Sequence, residues 1–120
     1  MGRLDGKRVL VCGAGQSPGE TIGNGRAMAL LFAREGARVL CVDRLGERAR
    51  ETAEMITAEG GKAGSLEADI SQAAGAEAAV AASVAELGGL DVLVNNVGIG
   101  GGDGPAHLVE EKAFDRILTV

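Results

Sequence analysis

The sequence predicts an α/β fold in which a doubly wound parallel sheet of about four strands carries helices on both faces. Short apolar runs alternate along the chain with alanine- and leucine-containing segments of helical character, and glycines close these segments. Segments of roughly 11–17 residues can cross over between parallel strands, and right-handed crossovers place helices on the sheet faces. With 120 residues, 46% of them hydrophobic, we expect one domain over residues 1–120.

The first unit is a strand followed by a helix. Residues 7–13 have the β-branched and aliphatic character of a buried strand. Residues 25–35 contain the Ala, Leu and Met of a helix, which stops at Gly36. Residues 38–43 then form a second apolar run that ends on Asp43. The order predicts two parallel strands joined by a crossover helix.

The second unit repeats this order. A helical segment begins at Leu45 and ends at Gly60 and Gly61. Its predicted apolar stripe consists of Leu45, Ala49, Ala53 and Ile56. Residues 62–70 alternate weakly in polarity and predict a third strand. One face of that strand carries Leu66, Ala68 and Ile70.

A third helix and a fourth strand complete the predicted sheet. Ser71 is the expected N-cap of the helix, and Gly88 and Gly89 close it. The predicted stripe of this helix consists of Ala76, Val80, Val84 and Leu87. Residues 90–97 form the fourth strand, and the loop GIGGGDGP follows it. A final amphipathic segment carries Leu108, Phe114, Ile117 and Leu118.

Charge and apolar runs exclude several partners and locations. The formal net charge is −5 and the 12 Lys and Arg residues are scattered, so we expect no nucleic acid and no anionic membrane as partner. The start of the chain lacks the apolar segment of a secretory signal, and no apolar run approaches ~18 residues, which favours a soluble cytoplasmic protein. Cys12 and Cys41 lie inside apolar runs without metal-ligand spacing, so we expect reduced core residues and no metal site.

A long glycine-rich loop follows the first strand. Its glycines are Gly13, Gly15, Gly19, Gly23 and Gly25. Glycines at this place let the backbone turn sharply and let a pyrophosphate approach the free N–H groups of a helix N-terminus. Because many turns contain glycines for conformational reasons only, the loop alone is weak support for a dinucleotide site.

Asp43 strengthens the dinucleotide interpretation. It ends the second strand 18 residues after Gly25, close to the ~20 expected for a carboxylate that accepts hydrogen bonds from an adenosine ribose. An ordinary turn residue at the end of a strand is the alternative. A carboxylate here accepts from both ribose hydroxyls and repels a 2′-phosphate, whereas Arg44 favours that phosphate. We expect Asp43 to dominate, which predicts NAD rather than NADP as the cofactor.

The chain resembles the short-chain dehydrogenase/reductase family over essentially all of its length. The matching segments, in family order, are LDGKRVLVCGAG, GNGRAMALLFAREGARVLCVDR, ADIS and LDVLVNNVG. The resemblance implies a Rossmann-like fold that binds NAD(P). The family's glycine spacing GxxxGxG occurs as Gly19, Gly23 and Gly25, with Asn24 between the last two. The loop that contains this spacing is about six residues longer than the family pattern.

The resemblance also assigns two later segments to the cofactor site. Asp69 and Ile70 match the family's acid and aliphatic residue that flank the adenine ring, although Asp69 can also be a turn residue ahead of Ser71. The family's NNAG motif is matched by Asn95, Asn96, Val97 and Gly98. In the family these asparagines tie the central strands together and shape the edge of the cofactor site, so their role is partly structural.

By this resemblance the chain is the N-terminal half of an NAD(P)-dependent oxidoreductase that transfers a hydride between nicotinamide and an alcohol or carbonyl substrate. The family carries out this reaction with a Tyr, a nearby Lys, a Ser and an Asn, and this sequence contains no Tyr. We therefore expect a dinucleotide-binding part without catalytic residues of its own, in a homo-oligomeric enzyme about twice as long. His107 is expected in a surface or capping role.

Other functions stay open at this point. The chain can instead be a non-catalytic nucleotide-binding or interaction module, and the reading frame downstream of Val120 distinguishes the two. A methyltransferase also uses a glycine-rich loop and an acid at the end of the second strand, but the NNVG sequence after the fourth strand argues against it. The sequence leaves the substrate open among sterols, sugars, acyl chains and small alcohols.

Overall fold

The computed structural model describes residues 2–15 and 24–96, and it confirms the predicted parallel α/β architecture. In chain order its elements are β1 (Arg8–Cys12), α1 (Asn24–Arg34), β2 (Arg38–Asp43), α2 (Gly46–Ala58), β3 (Lys62–Glu67), α3 (Ala73–Leu87) and β4 (Val92–Asn95). Strands and helices alternate throughout this part of the chain. The alternation follows from apolar runs separated by helical segments that end at glycines.

The strands form one parallel sheet in the order β3-β2-β1-β4. Val9 of β1 aligns with Val39 of β2 on one side and with Val92 of β4 on the other. The chain runs from β1 through β2 to β3 and then returns past β1 to form β4. The strand order therefore reverses beside the carboxyl end of β1. Open α/β sheets bind their ligands in the crevice at such a reversal.

Two apolar cores cover the two faces of the sheet. The face packed by α1 and α2 includes Val9, Val11, Val39, Cys41, Ala29, Leu30, Ala49, Ala53 and Ile56. The face packed by α3 includes Leu10, Cys12, Leu40, Val42, Ala79 and Leu87. Alternate residues of β1 and β2 belong to opposite cores because successive side chains of a strand point to opposite faces. Helices on both faces make the sheet doubly wound, as predicted.

Both cysteines are buried free thiols, which confirms their prediction as core residues. Burial raises the pKa of the Cys41 thiol to about 12 and also raises the pKa of the Cys12 thiol. A thiol with a raised pKa stays protonated at neutral pH and is a poor nucleophile. The two side chains therefore act as small apolar residues of the core.

The predicted apolar stripe of α3 is confirmed at Leu87 and wrong at its two valines. Val80 and Val84 are 46% and 55% exposed, whereas Ala79, Ser83 and Leu87 are buried. The helix sequence AAGAEAAVAASVAEL is apolar on nearly every side, so the pattern of apolar residues does not select a face. The small side chains of Ala79 and Ser83 let the helix approach the sheet closely, and the valines point outward.

The predicted start of α3 is also wrong. Gln72 holds the N-cap position and makes no side-chain cap hydrogen bond. The Ser71 hydroxyl is engaged elsewhere, because it donates to Asp69 Oδ1 at 2.6 Å. A turn formed by these neighbouring residues therefore precedes the helix and replaces the expected capping interaction.

The bounds of two strands and one helix differ from the prediction. β3 ends at Glu67, before Ile70, and β4 is confined to Val92–Asn95. The predicted face of Leu66, Ala68 and Ile70 nevertheless packs against the second core. Leu45 precedes α2 and is 40% exposed, so the buried stripe of that helix begins at Ala49.

None of the helices that the structure describes has the length and apolar character needed to span a bilayer. The GIGGGDGP loop, the final amphipathic segment and His107 lie outside the described residues. Residues 16–23 of the glycine-rich loop do so as well.

Candidate functional site

The carboxyl ends of the strands gather the predicted site residues along one edge of the sheet. Those within the described residues are Gly13, Gly15, Asn24, Gly25, Asp43, Arg44, Asp69, Ile70 and Asn95. Gly19, Gly23, Val97 and Gly98 lie outside the described residues. The crevice beside β1 is therefore bounded by the start of the glycine loop, the first residues of α1 and the ends of β2 and β4.

The Asp43 carboxylate is held in place from two sides. Its Oδ2 accepts a hydrogen bond from the Gly15 backbone N–H at 3.0 Å. Its Oδ1 accepts one from the Leu45 backbone N–H, also at 3.0 Å. Each oxygen of an ionised carboxylate has a second lone pair, so the half-buried group can still accept two further donors. This capacity and the fixed orientation suit a pair of neighbouring hydroxyls.

The start of the glycine loop folds back over the end of β2. The N–H groups of Gly13 and Ala14 both donate to the Val42 carbonyl oxygen, at 2.8 and 3.0 Å. Gly13 has a φ of 80°, a left-handed conformation that side-chain-bearing residues rarely adopt. A glycine at this position therefore lets the chain turn directly from β1 toward Asp43.

Gly25 marks the closest approach between the loop and α1. A Cβ atom at this position would collide with the Gly13 carbonyl oxygen and would lie 2.9 Å from Asn96 Nδ2. Asn96 is itself fixed, because its backbone N–H donates to the Cys12 carbonyl oxygen at 3.0 Å. The beginning of α1 therefore packs against the ends of β1 and β4, which places its N-terminal N–H groups at the crevice.

Asn24 and Asn95 lie at the borders of the same crevice. Asn24 is the first residue of α1 and is exposed. Asn95 is the last residue of β4, is exposed and aligns with Cys12 of β1. Both amides are therefore accessible from the carboxyl edge of the sheet.

Asp69 and Ile70 follow the end of β3. Asp69 Oδ1 accepts hydrogen bonds from the Ser71 hydroxyl at 2.6 Å and from the Ser71 backbone N–H at 3.0 Å. These bonds, with a smaller contribution from the Arg44 charge, hold the pKa of the Asp69 carboxyl below its usual value. Ile70 packs against the second core, while Arg44 is exposed. Asp69 is thus ionised at neutral pH and oriented by its own turn.

Sequence reasoning missed a polar pair behind the glycine loop. The Thr52 hydroxyl donates to the Ala14 carbonyl oxygen at 2.8 Å, and Arg26 Nε–H donates to that hydroxyl at 2.9 Å. Both side chains are buried. The available signal was the position of Thr52 on the apolar face of α2, beside Ala49 and Ala53, where a hydroxyl needs a partner.

The described residues fit a dinucleotide and offer no metal centre. Within residues 2–15 and 24–96, no group of three or more His, Cys, Asp and Glu side chains could hold a metal ion. The carboxylate of Asp43 accepts a hydrogen bond from Gly15, and the backbone of Gly13 packs against Gly25 in the first turn of α1. This arrangement pairs an acceptor for ribose hydroxyls with N–H donors for phosphates.

Comparison with known proteins identifies relatives across the whole chain. A family model described as short chain dehydrogenase matches residues 7–120. D-threitol dehydrogenase from Mycolicibacterium smegmatis is 38% identical over 118 residues, which cover 98% of this chain and 43% of that protein.

Solved structures are similar over the same length. A short chain dehydrogenase from Mycobacterium smegmatis superposes with a TM-score of 0.85 at 33% identity, covering 100% of this chain and 48% of that one. The 3-ketoacyl-(acyl-carrier-protein) reductase from Brucella melitensis, complexed with NADH, gives a TM-score of 0.75 at 43% identity, covering 98% and 44%. The chain thus spans less than half the length of each of these relatives.

Proposed function

The chain belongs to the short-chain dehydrogenase family, and we propose that residues 1–120 are the dinucleotide-binding portion of an NAD(P)-dependent oxidoreductase. The proposed substrate is an alcohol or carbonyl compound. The bound dinucleotide would supply the nicotinamide for hydride transfer to or from the substrate carbon. The residues described here bind and orient the dinucleotide.

One observation carries this proposal: the Asp43 carboxylate at the end of β2 is fixed by two backbone N–H groups, one of them at the start of the glycine loop. Its bonds to Gly15 and Leu45 orient both oxygens before any ligand arrives. An acceptor that is already oriented loses little conformational entropy when ribose hydroxyls bind to it. The NADH bound to the Brucella melitensis reductase supports the same ligand class.

The remaining site residues take roles along the cofactor. Glycines and an asparagine of the loop and helix start face the phosphates in this proposal: Gly13, Gly15, Gly19, Gly23, Asn24 and Gly25. Asp69 and Ile70 flank the adenine. Asn95, Val97 and Gly98 border the edge of the site beside β4.

We propose NAD rather than NADP as the preferred cofactor. A 2′-phosphate at the ribose comes within a few ångströms of the Asp43 carboxylate, where like charges repel. Arg44 favours the phosphate, but its side chain is exposed and can extend into solvent, whereas the Asp43 carboxylate is held by two N–H groups. The fixed negative charge therefore dominates the discrimination.

Location and assembly complete the proposal. Two buried free cysteines suit a reducing compartment such as the cytoplasm. Leu93 is 57% exposed on β4, an edge strand of the described sheet, and an apolar edge of this kind favours self-association of the 120-residue chain. We propose a cytoplasmic homo-oligomer.

Nucleotide binding by the purified 120-residue chain tests the proposal. NADH and NADPH are titrated against the ¹⁵N-labelled chain, and saturable shifts of the Gly13 and Gly15 amide signals report binding at this site. We expect NADH to bind more tightly than NADPH. Asp43→Ala should weaken NADH by roughly 10- to 100-fold, the loss of one or two hydrogen bonds to a charged group, and should abolish the preference.

A matched charge change controls for the overall electrostatics of the chain. Glu54→Ala removes one exposed negative charge from α2, away from the loop, and should leave the ratio of NADH to NADPH affinity unchanged. An Asp43→Ala chain with the wild-type ratio contradicts the assignment of Asp43.

Hydride transfer is tested separately from binding. Absorbance of the nicotinamide is followed with a panel of ketones and alcohols, using the 120-residue chain and any longer product of a reading frame that continues past Val120. We expect turnover from the longer product only, since the 120 residues contain no tyrosine. If the 120-residue chain turns over substrate and Asp43→Ala abolishes this turnover, the proposal that these residues only bind the dinucleotide is wrong.

A further inference from the structure

A directed chain of buried hydrogen bonds ends on the glycine loop. Thr52 is fully buried and Arg26 is 9% exposed. Arg26 Nε–H donates to Thr52 Oγ1, which occupies an acceptor site of the hydroxyl and leaves its single proton for another group. The Ala14 carbonyl oxygen, at 2.8 Å, lies closer to that hydroxyl than the Arg48 carbonyl oxygen of the same helix, at 3.3 Å. The proton therefore points to the loop.

Arg26 is itself held by two side chains of α2. It belongs to the first turn of α1, and its Nη2 donates to Glu51 Oε2 of α2 at 3.2 Å. Its side chain is only 11% exposed in this ion pair. A planar guanidinium that is fixed at both Nε and Nη2 presents the Nε–H to Thr52 in one orientation.

The carbonyl of Ala14 and the N–H of Gly15 belong to one planar peptide unit. In a trans peptide these two groups point in opposite directions. Thr52 binds the carbonyl end, and Asp43 Oδ2 binds the N–H end at 3.0 Å. The orientation that Thr52 gives to the carbonyl therefore sets where the N–H meets the carboxylate.

Close packing leaves this peptide little room to rotate. A Cβ atom at Gly15 would lie 2.6 Å from Arg48 Cβ and 2.8 Å from Asp43 Oδ2. The peptide unit is thus wedged between α2 and the end of β2. Because the peptide unit is planar, any shift of its carbonyl end also shifts its N–H end.

We propose that Thr52, oriented by Arg26, is a positioning residue that sets the Asp43 carboxylate for the ribose through the Ala14–Gly15 peptide. The proposal rests on the proposed dinucleotide function and adds a residue that makes no ligand contact itself. It predicts that a change on the buried side of α2 alters both the Gly15 amide and the binding of the ribose.

Amide hydrogen exchange and NADH titration of the 120-residue chain test the proposal together. Thr52→Val keeps the shape of the side chain and removes the hydroxyl. We expect exchange of the Gly15 amide to rise about tenfold and NADH affinity to fall about three- to tenfold. Thr52→Ser restores the hydroxyl and should return both quantities to within about twofold of wild type.

Ser83→Ala is the matched control. It removes another fully buried helix hydroxyl, which donates to Ala79 on the opposite face of the sheet. We expect no change in the Gly15 amide or in NADH affinity. Folded Thr52→Val with wild-type Gly15 exchange and wild-type NADH affinity overturns the proposal.

A double substitution separates positioning from general weakening of the fold. In an Asp43→Ala background there is no carboxylate to position, so adding Thr52→Val should change NADH affinity by less than about twofold. An equal loss in both backgrounds shows a structural role only and overturns the proposal.

Two further results keep the test decisive. If Thr52→Val does not fold, Arg26→Lys removes the Nε–H and keeps the charge, and Gly15 exchange should rise about threefold; unchanged exchange overturns the proposal. If the wild-type chain binds no NADH, the proposed function fails, while Gly15 exchange in the Thr52 variants still decides whether the peptide is held by Thr52.

Discussion

Asp43 ends β2 and Asp69 follows the neighbouring strand β3, yet the two carboxylates are held in different ways. Asp43 bonds to Gly15, which lies 28 residues away in the sequence and belongs to the glycine loop. Both described bonds of Asp69 come from Ser71, two residues further on. Asp43 also accepts a local bond from Leu45, two residues further on. Its bond from Gly15, however, exists only when β1, β2 and the start of the loop have assembled, whereas the Asp69 turn forms locally. A ligand that requires an assembled site should depend far more on Asp43.

The largest expected effect on stability comes from a substitution at Gly25, where α1 packs against the start of the glycine loop that holds Asp43. Gly25→Ala drives a Cβ into the Gly13 carbonyl, a backbone atom that cannot move aside, and should lower the free energy of unfolding by about 3 kcal/mol or more. Gly60→Ala is the control, because its φ of +89° is strained but its surroundings are open; it should cost about 1 kcal/mol. Urea unfolding measures both, and equal costs contradict the packing at Gly25.

The next largest effect is the loss of NADH affinity when the Asp43 or the Asp69 carboxylate is removed. We expect Asp69→Ala to weaken NADH by less than about fivefold, against roughly 10- to 100-fold for Asp43→Ala. The reason is that Asp69 is exposed and oriented only by its own turn. Titrations of the two variants under one salt condition give the ratio. Equal losses of NADH affinity in the two variants contradict the expectation that binding depends far more on Asp43 than on Asp69.

The smallest effect concerns the titration of Asp69 alone. Ser71→Ala removes the hydroxyl donor, so the pKa of the Asp69 carboxyl should rise toward its usual value. The pKa of Asp69 is lower in the folded chain than in the unfolded chain, so the ionised carboxylate stabilises the fold. This contribution to the free energy of unfolding is fully present above the ordinary aspartate pKa, and it is lost as the pH falls through the lowered pKa of the folded chain. A carboxyl ¹³C titration by NMR measures the shift. Ser83→Ala is the control and should leave the pKa of Asp69 unchanged. An unchanged pKa in Ser71→Ala contradicts the hydrogen bond from the Ser71 hydroxyl to Asp69.

The sheet could be predicted from the sequence because β1, β2 and β4 are short apolar runs between polar or glycine residues, while β3 alternates weakly in polarity. The position of Asp43 at the end of β2 is confirmed for the same reason. Its contact with a ribose stays a prediction. The face of α3 could not be predicted, since an alanine-rich helix gives nearly every side the same polarity.

Arg26 and Thr52 were out of reach for a different physical reason. Their partners lie in other elements, 26 residues apart for Arg26 and Thr52 and 38 for Thr52 and Ala14. Sequence periodicity reports which face of a helix is apolar, but it does not report which distant carbonyl a buried hydroxyl meets. Long-range polar contacts of this kind require the assembled fold.

The two ends of the glycine loop are anchored by atoms outside the segment that joins them. Gly13 is fixed by Val42, and Gly25 packs against Gly13 and Asn96. In terms of chain connectivity, Gly13 and Gly25 are joined through space by this packing, so their distance is set by the ends of β1, β2 and β4 rather than by the number of residues between them.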